Sequence, residues 1–189
     1  RFDRDLWATL AETGVLGAFM PEAHGGAGLD LVALGAALEA SGGEAAAVPL
    51  WETLGMGTPA IVEFGTESLQ ATVLPAVAAG DMVLTAAWHE DVGEPLRPTT
   101  VAARNGEGWQ LTGTKICVPA GPIADAVLMP AAIEGGSVGL FLVRTDAEGV
   151  GIEPLATTLG DPQAAVLMAM TPAELVAEGH ESLRWAYER

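Results

Sequence analysis

The chain has a single lysine and a single cysteine, Lys115 and Cys117, and both fall in the stretch LTGTKICVPAGPIAD at residues 111–125. A neighbouring cation can lower the pKa of a thiol and make it a nucleophile, so a reactive site is one interpretation. The other is a β-strand in which Lys115 meets solvent or a carboxylate and Cys117 packs as a small apolar residue. Because no other cation lies near Cys117 in the sequence, we expect strand and turn here. Pro119 should lie where this strand leaves the sheet, since proline cannot donate to a ladder.

A second pair of residues able to do acid–base chemistry, His89 and Glu90, follows the strand-like run MVLTAAW at residues 82–88. A charged turn after a strand is either a functional loop or a solvated connection, and the pair is a candidate for the first. Metal binding is not expected, because the one cysteine and the three histidines are scattered along the chain without ligand spacing.

Two periodicities divide the chain into regions that must position these residues. Apolar residues recur at helical spacing up to about Gly80, short β-rich runs follow from Met82, and helical spacing returns after Pro172. The predicted fold class is therefore α+β. We predict an N-terminal helical domain at 1–81, an antiparallel β-sheet or barrel domain at 82–172, and the start of a C-terminal helical domain at 173–189. The last segment, HESLRWAYER, is predicted to begin a helix that the chain does not complete.

Local signals support this division. Asp30 and Thr66 are predicted helix N-caps, and Pro75 is expected to break or kink the helix that Thr66 opens. The sequence NGEG at residues 105–108 predicts a hairpin. Trp109 should lie in the core or at an interface of the sheet, as should Trp88. The predicted strands are MVLTAAW, TTVAAR, WQLTGTKICV, DAVLMPA, VGLFLVR and AAVLMAM.

The overall charge excludes some partners. The 189 residues include 25 acidic and 8 basic side chains, a formal net charge of −17, so nucleic acid and anionic membrane surfaces are not expected to bind. The apolar runs are much shorter than the roughly 20 residues that span a bilayer, and the first residues lack the layout of a signal peptide. We expect a soluble, cytoplasmic protein.

Three segments resemble the acyl-CoA dehydrogenase family. Residues 10–30, LAETGVLGAFMPEAHGGAGLD, are similar to its N-terminal signature of a helix ending in Gly, Pro-Glu, Gly-Gly-x-Gly-Leu and a second helix. Residues 64–81, FGTESLQATVLPAVAAGD, resemble the family's next helix, and residues 108–129, GWQLTGTKICVPAGPIADAVLM, its strand pair around Leu-x-Gly-x-Lys. The segments occur in the family's order and together cover nearly the whole chain.

The resemblance implies FAD bound between the β-domain and a C-terminal helical bundle, often with help from a neighbouring subunit. The family removes the α-hydrogen of an acyl-CoA as a proton and passes the β-hydrogen to the flavin as a hydride, which gives a trans-2-enoyl-CoA. This reaction needs a carboxylate base and hydrogen bonds to the thioester oxygen. The implied partners are the acyl-CoA substrate, a homo- or hetero-oligomeric partner subunit and, as a candidate electron acceptor, an electron-transfer flavoprotein.

The sequence departs from the family pattern where the flavin would lie. After the lysine that matches Lys115, family members usually carry x-Trp-Ile-Thr, and this chain has Ile-Cys-Val-Pro, so the aromatic platform and the hydroxyl are both missing. His89 and Glu90 align with the family's Thr-Glu-Pro motif, but the loop after them is two residues short and has no Gly-Ser-Asp. We predict weakly held or partner-dependent FAD. The predicted cofactor-binding residues are His89, Glu90, Cys117, Val118 and Pro119.

No catalytic residue is predicted, because the family's glutamate base lies in the bundle, of which this chain has at most the first helix. The first hypothesis is part of a flavoenzyme that oxidises acyl-CoA in fatty-acid or steroid side-chain β-oxidation, incomplete or catalytically degenerate alone. In this hypothesis the chain is a degenerate subunit that pairs with a complete partner, as in the actinobacterial heteromeric dehydrogenases. The alternative is a non-catalytic interaction or acyl-CoA-binding module that kept the fold without the flavin.

Overall fold

The computed structural model describes residues 2–188. The chain divides into two compact units, one ending at Leu84 and the other beginning at Thr85. This division falls three residues after the predicted boundary at residue 81. Within the described residues, no helix is long and apolar enough to cross a membrane.

The first unit is helical. Its α-helices are α1 (Arg4–Glu12), α2 (Leu31–Gly43), α3 (Thr58–Phe64) and α4 (Glu67–Ala78), with a 3-10 turn at Glu22–His24 and a π-helical segment at Trp51–Gly57. The predicted caps are confirmed: the Asp30 carboxylate accepts from the first amides of α2, and the Thr66 hydroxyl accepts from the Leu69 N–H in α4. Each cap satisfies amides that a helix start leaves without an intrahelical partner.

Pro75 does not break α4, which continues to Ala78. Of the predicted break or kink, the break is therefore wrong, and the kink stays a prediction. Proline removes one donor and frees the carbonyl four residues earlier, at Ala71. Both Pro75 and Ala71 are exposed, so water can meet the freed carbonyl.

The second unit is built on a closed β-sheet. Its strands are β1 (Leu84–Ala86), which begins at the last residue of the first unit, β2 (Val101–Asn105), β3 (Gly108–Pro119), β4 (Ala126–Ile133), β5 (Ser137–Arg144), β6 (Val150–Leu155) and β7 (Gln163–Glu178). The ring runs β4-β2-β3-β7-β5 and back to β4, with β1 added to β4 and β6 to β7. The β2–β4 pairing is parallel and the other pairings of the ring are antiparallel. The α+β prediction is confirmed, and the sheet is a barrel.

Two pairs of aromatic rings pack edge-to-face in this unit. Trp109 meets Phe141 edge-to-face with ring centroids 5.4 Å apart, and Trp88 meets Tyr187 in the same way at 5.4 Å. Both tryptophans are 8% exposed, as expected for core or interface residues of the sheet. The predicted hairpin is also confirmed, since β2 and β3 pair from Asn105 and Gly108 outwards.

The end of the β-region differs from the prediction. Residues 173–178 were expected to be helical, but β7 continues through them to Glu178 and pairs with β3 and β5. Helix α5 (His180–Glu188) then begins after Gly179, which confirms a helix in HESLRWAYER. Strand β6 was not predicted, because its glycine and proline are typical of turns. It pairs with β7 alone among the strands, and an edge strand tolerates proline.

Gly113 gives a testable contact in the barrel. A Cβ at this position would lie 2.6 Å from the Thr100 Oγ1 and 2.8 Å from its Cα. We expect Gly113→Ala to lower the free energy of unfolding by about 1–3 kcal/mol, because the backbone of Thr100 must move. Urea unfolding measures the change. The control is Gly108→Ala on the same strand, where the nearest atom would be 3.6 Å away. Equal effects of the two changes would contradict the contact.

Candidate functional site

Strand β3 contains a bulge after Lys115. Leu111 and Lys115 are buried, and alternation would next bury Cys117. Instead the pairing with β7 shifts between Lys115 and Val118, Cys117 adopts a φ of 52°, and Val118 is the buried residue. A bulge inserts one residue and reverses the faces that follow it. The prediction that Cys117 is packed is therefore wrong, because its side chain is exposed.

Lys115 forms a buried ion pair. It is fully buried, and its Nζ lies 2.5 Å from Oε1 of Glu90, whose side chain is 5% exposed. The sequence left open whether Lys115 meets solvent or a carboxylate. The structure shows that it contacts a carboxylate and is shielded from solvent. Two charges taken out of water are tolerated only when their remaining hydrogen-bonding capacity is satisfied.

Two threonines supply the other donors to Glu90. The Thr99 N–H lies 2.6 Å from Oε2, and the Thr99 hydroxyl also donates to that oxygen. The Thr100 N–H and hydroxyl donate to Oε1 at 3.1 and 2.7 Å. Sequence reasoning missed both residues. The signal that it overlooked is the Thr-Thr pair directly before β2, since a short hydroxyl side chain and its own amide can serve one carboxylate together.

The structure brings His89 and Glu90 beside the β3 bulge. The His89 carbonyl accepts a hydrogen bond from the Ile116 N–H at 2.9 Å, one residue before Cys117. The His89 and Cys117 side chains are both exposed, and we call these two residues the rim. Pro119 ends β3 as predicted, is half-buried, and accepts a hydrogen bond from the Thr85 hydroxyl at 2.6 Å.

The ion pair has a defined electrostatic state. Burial raises the pKa of Glu90. Hydrogen bonds from Lys115, Thr99 and Thr100 and the charge of Lys115 outweigh burial and bring this pKa down to about 2. Burial lowers the pKa of Lys115, and the hydrogen bond and charge of Glu90 oppose that shift. Glu90 is therefore an anion at neutral pH and a very weak base.

Glu90, Lys115, Thr99 and Thr100 form a hydrogen-bonded cluster, and its role is to hold the backbone in place. Its carboxylate has a low pKa and no room for a further donor, and its ammonium is enclosed. Among residues 2–188, no group of three or more His, Cys, Asp or Glu side chains could hold a metal ion. Beside the cluster, the rim presents an imidazole and a thiol to solvent.

Acid should weaken the second unit through Glu90. Its pKa is about 2 when folded against an ordinary 4.5, so its stabilising contribution is complete above pH 4.5 and is lost as the pH falls towards 2. The contribution is about 3 kcal/mol. Urea unfolding of the native chain and Glu90→Gln between pH 7 and pH 3 measures it. The two free energies should converge as the pH falls, and a constant difference would contradict the assignment.

Comparisons with known proteins find acyl-CoA dehydrogenases. Residues 1–81 match the model of the acyl-CoA dehydrogenase N-terminal domain. Acyl-CoA dehydrogenase FadE27 of Mycobacterium tuberculosis is 40% identical over 159 residues, which are 84% of this chain and 41% of FadE27. The chain contains an acyl-CoA dehydrogenase N-terminal domain and is similar to acyl-CoA dehydrogenases over most of its length. It spans less than half the length of this acyl-CoA dehydrogenase relative.

Solved structures match both units. A variant of the Tcur3481-Tcur3483 steroid ACAD is 40% identical with a TM-score of 0.89, covering 99% of this chain and 51% of that one. The ChsE4-ChsE5 complex from Mycobacterium tuberculosis is 34% identical with a TM-score of 0.89, covering 98% and 50%. An acyl-CoA dehydrogenase from Bacillus anthracis complexed with FAD is 28% identical with a TM-score of 0.84, covering 97% and 33%.

The five predicted cofactor-binding residues, which we call the flavin wall, fit the acyl-CoA dehydrogenase cofactor FAD poorly. Val118 turns its side chain into the barrel, Glu90 is committed to five donors, and Pro119 has no N–H. Of the five residues only the rim is exposed, and it offers an imidazole and a thiol but no indole ring and no hydroxyl. The five predicted cofactor-binding residues remain predictions, and we derive no chemical step through FAD from them.

Proposed function

We propose that this chain is one part of an FAD-dependent acyl-CoA dehydrogenase that oxidises an acyl-CoA to a trans-2-enoyl-CoA. In this proposal the catalytic base and most of the FAD contacts come from a partner subunit or a C-terminal helical bundle. The observation that carries the proposal is the match of both units to the Tcur3481-Tcur3483 and ChsE4-ChsE5 proteins. We place the reaction in the cytoplasm, with an electron-transfer flavoprotein as the candidate acceptor.

The substrate class that we propose is a CoA thioester with a steroid side chain. Support comes from the match to a steroid ACAD at 40% identity, whereas a matched glutaryl-CoA dehydrogenase is 25% identical. The experiment co-expresses the chain with a complete acyl-CoA dehydrogenase subunit from the same source and purifies the assembly. We expect a flavin absorbance spectrum and dye reduction with a steroid-CoA. A folded, flavin-free assembly without turnover would contradict the proposal.

The rim favours a second candidate function, a non-catalytic acyl-CoA-binding or interaction module. Cys117 and Pro119 stand where the family has its aromatic and hydroxyl contacts, and neither residue offers them. The same purification separates the two functions. A flavin-free chain that binds an acyl-CoA in calorimetry, with or without its partner, would support the module.

A double substitution tests the flavin wall. In the co-expressed assembly, Cys117→Trp with Pro119→Thr should raise retained flavin about tenfold, because an aromatic contact and a hydrogen bond are restored. Flavin absorbance per protein after gel filtration measures retention, and thermal unfolding checks that the chain accepts the ring at a φ of 52°. Cys117→Ala is the control and should leave activity unchanged. Unchanged flavin in a folded double variant would remove these positions from the wall.

A further inference from the structure

We propose that Glu90 and Lys115 are positioning residues: their buried pair closes the loop at residues 91–98 on itself and fixes it to the β3 bulge. The rim is thereby held in place by this chain alone, without a ligand. The identification of the rim with a flavin wall rests on the proposed function. The positioning rests only on the contacts within the second unit.

The first step is closure of the loop. Glu90 stands at its beginning and Thr99 at its end, and one carboxylate accepts the backbone amides of both Thr99 and Thr100. Inside the loop, the Arg97 N–H donates to the Glu94 carbonyl at 2.8 Å. The side chain of Glu90 therefore joins the two ends of the loop, as ladder hydrogen bonds join the two strands of a hairpin.

The second step is attachment to the barrel. Lys115 reaches Glu90 from β3, and the Ile116 N–H, one residue after Lys115, donates to the carbonyl of His89, one residue before Glu90. These two contacts hold the start of the loop against the bulge that exposes Cys117. A hydrogen bond to a charged group stabilises more than a neutral one, so the carboxylate is the centre of the attachment.

Hydrogen exchange of the 189-residue chain tests the positioning. In Glu90→Gln, the amides of Thr99, Thr100 and Ile116 should exchange about tenfold faster or more. The amides that join β4 to β5 should keep their native rates. The matched control is Glu94→Gln, an exposed carboxylate of the same loop, which should change none of these rates. Unchanged exchange at Thr99 and Thr100 in folded Glu90→Gln would overturn the proposal.

A paired replacement separates positioning from core filling. In Glu90→Leu with Lys115→Met, no charge is left buried alone, so stability should recover relative to Lys115→Met. Exchange at Thr99 and Thr100 should nevertheless stay fast, because their acceptor is gone. Native exchange rates in this variant would show that the pair only fills space and would overturn the proposal.

A milder variant covers the case in which the others do not fold. Thr100→Val removes one hydroxyl donor to Glu90 and keeps both charges, so Thr99 and Thr100 should exchange several-fold faster in a native-like barrel. Rates equal to those of the native chain would count against the proposal. None of these readouts uses flavin or turnover. If the co-expressed assembly is folded but flavin-free and inactive while this chain shows the expected exchange pattern, the positioning stands and the proposed function is contradicted.

Discussion

Replacing Lys115 with methionine should lower the free energy of unfolding by about 3–5 kcal/mol, the largest stability change expected for a single substitution here. The variant leaves the Glu90 carboxylate in a site where its side chain is 5% exposed, without its cation. Water cannot replace the ammonium there, so the desolvation cost of the carboxylate is no longer compensated. Chemical unfolding followed by tryptophan fluorescence, or the midpoint of thermal unfolding, measures the loss.

Arg97→Met is the matched control for Lys115→Met. It removes one cation from the same unit, but Arg97 is exposed. We expect a change of less than about 0.5 kcal/mol. Similar losses for the two variants would mean that net charge, and not the buried pair, determines the effect.

Purified alone, the chain should not reduce a dye with any acyl-CoA. Abstraction of an α-proton needs a base whose pKa is near the working pH, and the carboxylate beside the rim, Glu90, has a pKa of about 2. It also has no access to a substrate, because five donors surround it. Single-turnover absorbance with saturating acyl-CoA and added FAD measures the activity. Turnover by the chain alone would show that a base lies within these residues.

The co-expressed assembly is the positive control for that experiment. Adding a complete partner subunit should turn an undetectable rate into a measurable one, a change of several orders of magnitude, because a positioned base and oriented cofactor are then present. Cys117→Ala in the assembly should not alter the rate. A loss of activity in Cys117→Ala would instead support a reactive Cys117 thiol, which the sequence analysis did not favour.

Local features of this fold were predictable and long-range ones were not. The caps at Asp30 and Thr66 and the turn at Asn105 depend on residues within a few positions of each other, so the pattern of the sequence predicts them. The extent of β7 depends on partners in β3 and β5, and residues 173–178 alone favour a helix. Tertiary pairing therefore overrides local propensity at the end of the barrel.

The site shows the same limit. The sequence places His89, Glu90 and Lys115 in motif positions, but it cannot show that two of them form a buried pair. The environment of Cys117 was mispredicted because a single bulge reverses which residues face inward. Strand alternation is a reliable guide only while the register is constant.

The barrel closes through its last strand, and this order has a consequence for folding. β7 pairs with β3, whose residues lie 44 to 64 positions earlier, from the pair Pro119 and Gln163 to the pair Trp109 and Ala173. The hairpins β2–β3 and β4–β5 are local and can form early, whereas ring closure waits until Glu178 is available to β5. Contacts between distant residues slow folding, and open strand edges promote aggregation meanwhile. On the ribosome, the helical unit can complete its fold well before the barrel, which remains an open sheet until its final strand emerges.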